Sequence, residues 1–210
     1  MILKMGLYFI TGNEEIRVLV PSIDGFLSLD LPEIQSLNAR EVIAHKLGEA
    51  LRSHAYQHMI SHAGDVREGT ISMIACEDTS LEIDVLHGLP GPLIRWHLQA
   101  LGVKGLYDLV LAKNEFDTER KICVSERWGA TARTIVGLYD GSDYHYFEGE
   151  VRGKIVLPGG SMSFGWDPLF EVEWDGGRKR LSEMTLDEKN MVSSRGKAFG
   201  AFAQYLQTLR

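Results

Sequence analysis

The chain has 210 residues, enough for one substantial hydrophobic core or for one core with a small lobe, and its 44% apolar and 24% charged content is that of an ordinary globular domain. A formal net charge of −7 argues against a nucleic-acid or anionic-membrane binder, while a local cationic pocket or a divalent metal still admits a polyphosphate ligand. Two cysteines, Cys76 and Cys123, argue against a disulfide scaffold; no run approaches the ~20 apolar residues of a membrane span, Met1 to Ile10 lacks the pattern of a secretory leader, and a reducing, cytoplasmic setting is expected.

Leu7 to Ile10 reads as a first strand, followed at once by Thr11-Gly12-Asn13 and then Glu14, Glu15, Ile16 and Arg17. Thr and Asn cap helices and glycine permits a tight turn, so the tripeptide is either a plain strand-to-helix turn or a turn whose N–H groups face an anion. Gly25 to Leu31 reads as a second strand that stops at Pro32, which cannot continue a ladder. It leaves Glu33 at a strand end, as a solvated carboxylate or as part of a site. Asn38-Ala39-Arg40-Glu41 has the form of a capping box, and Val42, Ile43, Leu47, Ala50 and Leu51 give the following helix an apolar face. Lys46 falls on or beside that face, where a lysine either snorkels along the core edge or serves as a phosphate ligand. His54, His58 and His62 recur every four residues with no carboxylate or cysteine to complete a zinc set, and read as a solvated helix face.

Ile71 to Cys76 is an apolar run long enough for one buried strand, expected to deliver Glu77 and Asp78 at its C-terminal end, where open α/β sheets place their ligand sites. Leu81, Ile83 and Val85 alternate with Glu82 and Asp84 in the period of a half-buried strand. Gly88-Leu89-Pro90-Gly91-Pro92 then forces a reversal before Ile94, Arg95 and Trp96. Two carboxylates shortly before a cation suggest a metal facing an anionic substrate. After Trp96 come two helical stretches reaching Leu111, then β-rich runs at Arg120 to Trp128, Thr131 to Tyr139 and Tyr144 to Leu157, whose short turns imply an antiparallel meander.

Ser163-Phe164-Gly165-Trp166-Asp167-Pro168 places two aromatics around a glycine, either a stacking wall for a base with Asp167 as acceptor or an aromatic loop packed on the core. Ser182 to Asn190 reads as a helix start carrying Lys189, and Ser193-Ser194-Arg195 caps a last helix whose stripe of Phe199, Phe202, Leu206 and Leu209 reads as core packing. Arg195 in a first helical turn is electrostatically unfavourable unless an anion sits there.

In this order, Thr11-Gly12-Asn13, Leu31-Pro32-Glu33, Glu77-Asp78-Thr79-Ser80-Leu81, Gly88 to Pro92, Phe147-x-Gly149 with Gly153-x-Ile155, Phe164 to Pro168, and Glu188-Lys189-Asn190 with Ser193 and Arg195 resemble the motifs of the inosine/xanthosine triphosphate pyrophosphatase family. The resemblance spans almost the whole chain. It implies one α/β domain over residues 1–210, with an elongated mixed β-sheet, flanking helices and two lobes around a central cleft; a β-rich lobe at about 117–160 is expected within it. It also implies a homodimer, Mg2+ as cofactor with Mn2+ as a substitute, and hydrolysis of deaminated purine nucleoside triphosphates between the α and β phosphates, giving monophosphate and pyrophosphate. By position, Glu33 and Asp78 would hold the metal, Asp78 would accept the proton of the attacking water, and Glu77 would stand beside it as a second catalytic carboxylate. Thr11, Gly12, Asn13, Lys46, Thr79, Arg95 and Lys189 would hold the triphosphate, and Phe164, Gly165, Trp166, Asp167, Ser194 and Arg195 would face the purine.

Four positions depart from that resemblance. Ile16 stands where lysine is usual, with Arg17 next to it as a substitute turned ~100° around a helix. Arg95 replaces a common lysine and adds a bidentate fork. Gly159 stands where arginine is usual after the proline. Ser194 replaces the histidine that in the family faces the 6-oxo group of the base, so a relaxed base preference within the same chemistry is the nearest alternative function, and a nucleotide-binding regulator without hydrolysis is the alternative of another class.

Overall fold

A computed structural model describes residues 6–11, 16, 19, 23, 25–62, 72–120, 128–162 and 165–209. The strands are β1 Gly6–Ile10, β2 Gly25–Leu27, β3 Ser72–Ile83, β4 Pro90–Gly91, β5 Gly129–Tyr139, β6 Tyr144–Ile155, β7 Phe170–Trp174 and β8 Gly177–Arg180. The helices are α1 Ala39–Arg52, α2 His54–His62, α3 Ile94–Glu119, α4 Leu186–Val192 and α5 Ser194–Thr208. Among the described residues the strands form one mixed sheet in the order β2-β1-β3-β5-β6-β7-β8, with β4 paired to β3. β1 runs parallel to both β2 and β3, whereas β6-β7 and β7-β8 are antiparallel. The mixed α/β class expected from the alternation of elements is therefore the class observed.

The chain divides into two compact units: Met1–Asp78 with Ile135–Glu148 and Ala198–Arg210, and Thr79–Thr134 with Gly149–Lys197. β5 and β6 each contribute residues to both units.

In the first unit, Phe9 packs on Phe199 and Phe202 of α5 with ring centroids 5.4 and 6.2 Å away. Leu7, Met73, Val136 and Leu138 join them, so the aromatic stripe of the last helix is core. Ile16 belongs to the same cluster and is 0% exposed, which explains the departure at this position: the side chain completes the core. A second cluster joins Ile43, Leu47 and Ala50 of α1 to Ile10, Ile74, Cys76 and Ile135. Gly137 makes that seat possible, since a Cβ there would lie 2.4 Å from Ile43 Cγ2. In the second unit, Leu81, Ile83, Leu106, Val110, Ala130, Ile155, Leu169, Phe170 and Val172 form one core.

Several local expectations change. The two strands foreseen on either side of Glu77-Asp78 are one 12-residue strand, β3. No glycine or proline interrupts Glu77 to Ser80, and the buried face of Met73 and Ala75 continues in phase to Leu81 and Ile83. The carboxylates thus lie within a strand rather than at its end. They do fall where the parallel neighbour stops, because β1 pairs only as far as Ile10 opposite Cys76. The second strand is three residues, not seven; Leu29 and Leu31 still pack on the core without a ladder. The run expected from Arg120 begins at the C-cap of α3, and residues 121–127 lie outside the described residues. The two helical stretches after Trp96 are α3 broken at Gly102, whose φ of 68° takes the chain out of helical geometry.

Helix α1 is the element that delivers Lys46. Asn38 caps it by accepting a hydrogen bond from Arg40 N at 3.0 Å, while Glu41 binds the Ser36 hydroxyl at 2.7 Å. Asn38→Ala is expected to lower stability by about 1 kcal/mol, a loss of roughly 2–4 °C in thermal melting, with Asn38→Asp close to wild type.

Candidate active site

The most polar buried feature of the first unit is a lysine held by carboxylates. Lys46 Nζ donates to Asp78 Oδ1 at 2.7 Å and to Glu33 Oε1 at 2.9 Å, and the Lys46 and Asp78 side chains are each 12% exposed. The elements explain the meeting. Glu33 lies in the irregular segment between β2 and α1, the apolar face of α1 sets Lys46 at its edge, and β3 carries Asp78 past the end of β1. Burial pushes the Asp78 carboxyl up to about 6; Lys46 opposes that shift, and Glu77 and Glu33 reinforce it. Burial disfavours the Lys46 ammonium, but Asp78 and Glu33 outweigh it and hold the amine protonated well above its usual range. Burial, with the neighbouring carboxylates, raises Asp78, and the contacts of the ammonium with Asp78 and Glu33 raise Lys46, in a place poorly reached by water.

Asp78 Oδ2 is buried and has no hydrogen-bond partner among the described residues. Among those residues no cluster of three or more His, Cys, Asp or Glu stands ready-made for a metal. The donor set nevertheless suits a hard divalent cation: Glu33 and Asp78 offer only carboxylate oxygens, and Asp78 Oδ2 has no partner among the described residues. Thr11 is buried beside this strand end, with its N–H donating to Leu27 O at 3.1 Å. Gly12, Asn13 and Arg17 lie outside the described residues.

The second unit gathers a different set. Asp167 Oδ2 and Lys189 Nζ form a buried ion pair at 2.6 Å. Lys189 is carried by α4, whose start has a full capping box between Thr185 and Glu188. Gly165, at φ 46°, turns the chain into Trp166, whose indole N–H is buried with no acceptor among the described residues. Phe164 lies outside them. Ser193 caps α5 by accepting from Gly196 N at 3.1 Å, and Gly196 allows α5 to start against α4: a Cβ there would lie 1.7 Å from Asn190 O. Arg195 is half-buried in the first turn that follows. Arg95 occupies the first turn of α3, its guanidinium 5.5 Å from the Trp96 ring centre.

A contact not anticipated from sequence joins three of these elements. Thr134 Oγ1 lies 3.0 Å from Thr79 Oγ1 and 2.9 Å from Ser194 Oγ. The one sequence signal was a hydroxyl in phase with the buried Ala130, Ala132 and Val136 on one face of β5. His54 and His58 stack along α2 with ring centres 5.9 Å apart, as a helical spacing requires.

Fold and site together define a class: a mixed α/β protein with two carboxylates bridged by a buried lysine past the end of a parallel strand pair. A model of the Ham1 family matches residues 7–205, and the chain belongs to that family. It is 33% identical over 189 residues to the inosine triphosphate pyrophosphatase of Saccharomyces cerevisiae, covering 84% of this chain and 90% of that protein. It is 34% identical over 195 residues to the enzyme of the same name from Leishmania major, covering 87% and 81%. Among solved structures, a HAM1 protein from Coxiella burnetii superposes with a TM-score of 0.71 at 18% identity, over 98% of this chain and all of that one. The Ham1 protein of Staphylococcus aureus gives 0.65 at 19%, over 97% and 100%, so the fold is that of Ham1 proteins.

Proposed function

We propose that the chain is a metal-dependent pyrophosphohydrolase of deaminated purine nucleoside triphosphates, converting inosine, deoxyinosine and xanthosine triphosphates to the monophosphate and pyrophosphate. The observation that carries this reading is the Glu33–Lys46–Asp78 cluster with its orphaned Asp78 Oδ2. Membership of the Ham1 family and identity to enzymes named inosine triphosphate pyrophosphatase support it.

Glu33 and Asp78 are the residues that would hold magnesium, or manganese in its place. The bound ion supplies charge neutralisation on phosphate oxygens and a more acidic water. Asp78 accepts the proton of the attacking water at Oδ2, and a carboxyl lifted to about 6 by burial is a stronger base near neutral pH than an ordinary aspartate. Glu77 adds negative charge beside it and sharpens that basicity. The attack falls on the α-phosphorus, and pyrophosphate leaves. Lys46, Arg95, Lys189, Thr79, Thr11, Gly12, Asn13 and Arg17 hold the triphosphate, since cations and N–H groups match its charge through the transition state. Phe164, Gly165, Trp166, Asp167, Ser194 and Arg195 face the base, with the Trp166 N–H available to an acceptor on the ligand. A cytoplasmic homodimer completes the reading; among the described residues no helix is long and apolar enough to cross a membrane.

The test is turnover of inosine triphosphate with magnesium, followed by phosphorus NMR. Equimolar monophosphate and pyrophosphate is the expected outcome, and stepwise release of orthophosphate contradicts it.

A further inference from the structure

The ammonium of Lys46 marks a place where a cation is held. It touches Asp78 Oδ1 at 2.7 Å and Glu33 Oε1 at 2.9 Å, one carboxylate from β3 and one from the irregular segment before α1. The Lys46 and Asp78 side chains are each 12% exposed, so solvent screens their pairing poorly. Asp78 Oδ2 is buried with no partner among the described residues. A hard divalent cation drawn to these carboxylates meets an ammonium already on them, and two cations among the same oxygens repel each other. Lys46 and the metal therefore compete.

Free metal relieves that competition poorly. It turns the ammonium out of a buried pair without offering it a new partner, and a buried charge left unpaired is costly. A triphosphate brings several negative charges, enough to pair with the metal and with the ammonium at once. The exchange falls on the side chain alone, because buried Val42, Ile43, Leu47 and Ala50 fix α1 around Lys46.

We infer that Lys46 keeps Glu33 and Asp78 closed to free divalent metal and leaves them when a triphosphate arrives to take the ammonium, so that metal and nucleotide enter together. In assigning the ammonium's second partner, this rests on the proposed function. By linkage, the factor by which nucleotide raises metal affinity is the factor by which metal raises nucleotide affinity. Lys46 contributes to that factor by weakening the binding of metal alone.

Two measurements on the full-length protein test this. In the first, Mn2+ is titrated into metal-free protein without nucleotide, and the free ion is followed by electron paramagnetic resonance. Lys46→Met and Lys46→Gln are expected to bind Mn2+ at least about tenfold more tightly than wild type, because the carboxylates lose their resident cation. Lys46→Arg keeps the charge and is expected to bind like wild type, and adding Asp78→Asn to Lys46→Met removes the gain. In the second, the Lys46 ammonium of the wild-type protein is followed by 1H–15N NMR, its signal assigned by its loss in Lys46→Arg. Mg2+ alone is expected to leave the signal in place, and Mg2+ with the α,β-methylene analogue of inosine triphosphate to move it. No gain in either neutral variant overturns the inference, as does an equal gain in Lys46→Arg. A wild-type signal that Mg2+ moves as far without the analogue as with it, or that neither condition moves, overturns it as well. The Mn2+ titration needs no substrate. Its expected result, with no pyrophosphate from inosine triphosphate, leaves the competition standing and removes the proposed function; pyrophosphate release with no gain in the neutral variants does the reverse.

Discussion

Asp78→Asn is expected to lower kcat roughly a thousandfold and, at the same time, to raise the melting temperature of the metal-free protein at pH 7.5. The loss of turnover follows from replacing a carboxylate that takes a proton and holds a hard cation with an amide that does neither well. The gain in stability follows from the charge balance. Burial, reinforced by Glu77 and Glu33 against the pull of Lys46, lifts the Asp78 carboxyl from its ordinary 3.8 to about 6. The folded protein therefore binds this proton more tightly than the unfolded chain. That contribution is fully present below pH 3.8 and is lost as the pH rises through about 6. Above it, the ionised aspartate costs the fold about 1–3 kcal/mol that asparagine does not. Melting both proteins in EDTA at pH 4.5 and 7.5 checks the sign: the difference moves in the variant's favour at the higher pH. A variant that falls further behind wild type as pH rises contradicts the costly ionisation of Asp78 in the fold.

Lys46→Met is the substitution of opposite sign, and its expected effect is opposite. Methionine keeps much of the packed stem but removes the ammonium that both Glu33 and Asp78 contact. Leaving buried carboxylates without a counter-charge typically costs about 3–5 kcal/mol, roughly 10 °C in a chain of this size. Magnesium is expected to recover part of that loss by placing positive charge among the same oxygens, and the deficit shrinks as the pH falls and Asp78 takes up its proton. Differential scanning calorimetry with EDTA and with magnesium separates these terms. An unchanged melting temperature in EDTA sinks the view that Lys46 balances Glu33 and Asp78. Together the two variants form a pair: removing acid steadies the metal-free fold, and removing base loosens it.

Much of this was legible in the amino-acid sequence. Short apolar runs bounded by Pro and Gly mark β1, α1, β5 and β6, because period and punctuation are local properties. The same local logic located the cap at Asn38 and a helix start carrying Lys189, though not the cap at Thr185. Where it went wrong, the deciding forces were tertiary. Glu77-Asp78 resembles a strand terminus by composition, yet β3 continues because its buried face stays in phase on both sides. Ile16 stands out against a lysine pattern, and only its packing with Phe9 and Phe199 shows what it does. At the site, the residue types pointed to Glu33, Lys46 and Asp78, but not to the fact that one ammonium bridges two carboxylates. Thr134 was invisible for a plainer reason: a threonine in a strand is common, and its meaning comes from Thr79, 55 residues away, and Ser194, 60 residues away.

The central claim is that water attacks the α-phosphorus under the control of the Asp78 cluster. Hydrolysis of inosine triphosphate in 18O-labelled water, with mass analysis of both products, tests it directly. The account predicts one labelled oxygen in the nucleoside monophosphate and none in pyrophosphate. Label in pyrophosphate, or in released orthophosphate, places the attack on another phosphorus and contradicts it.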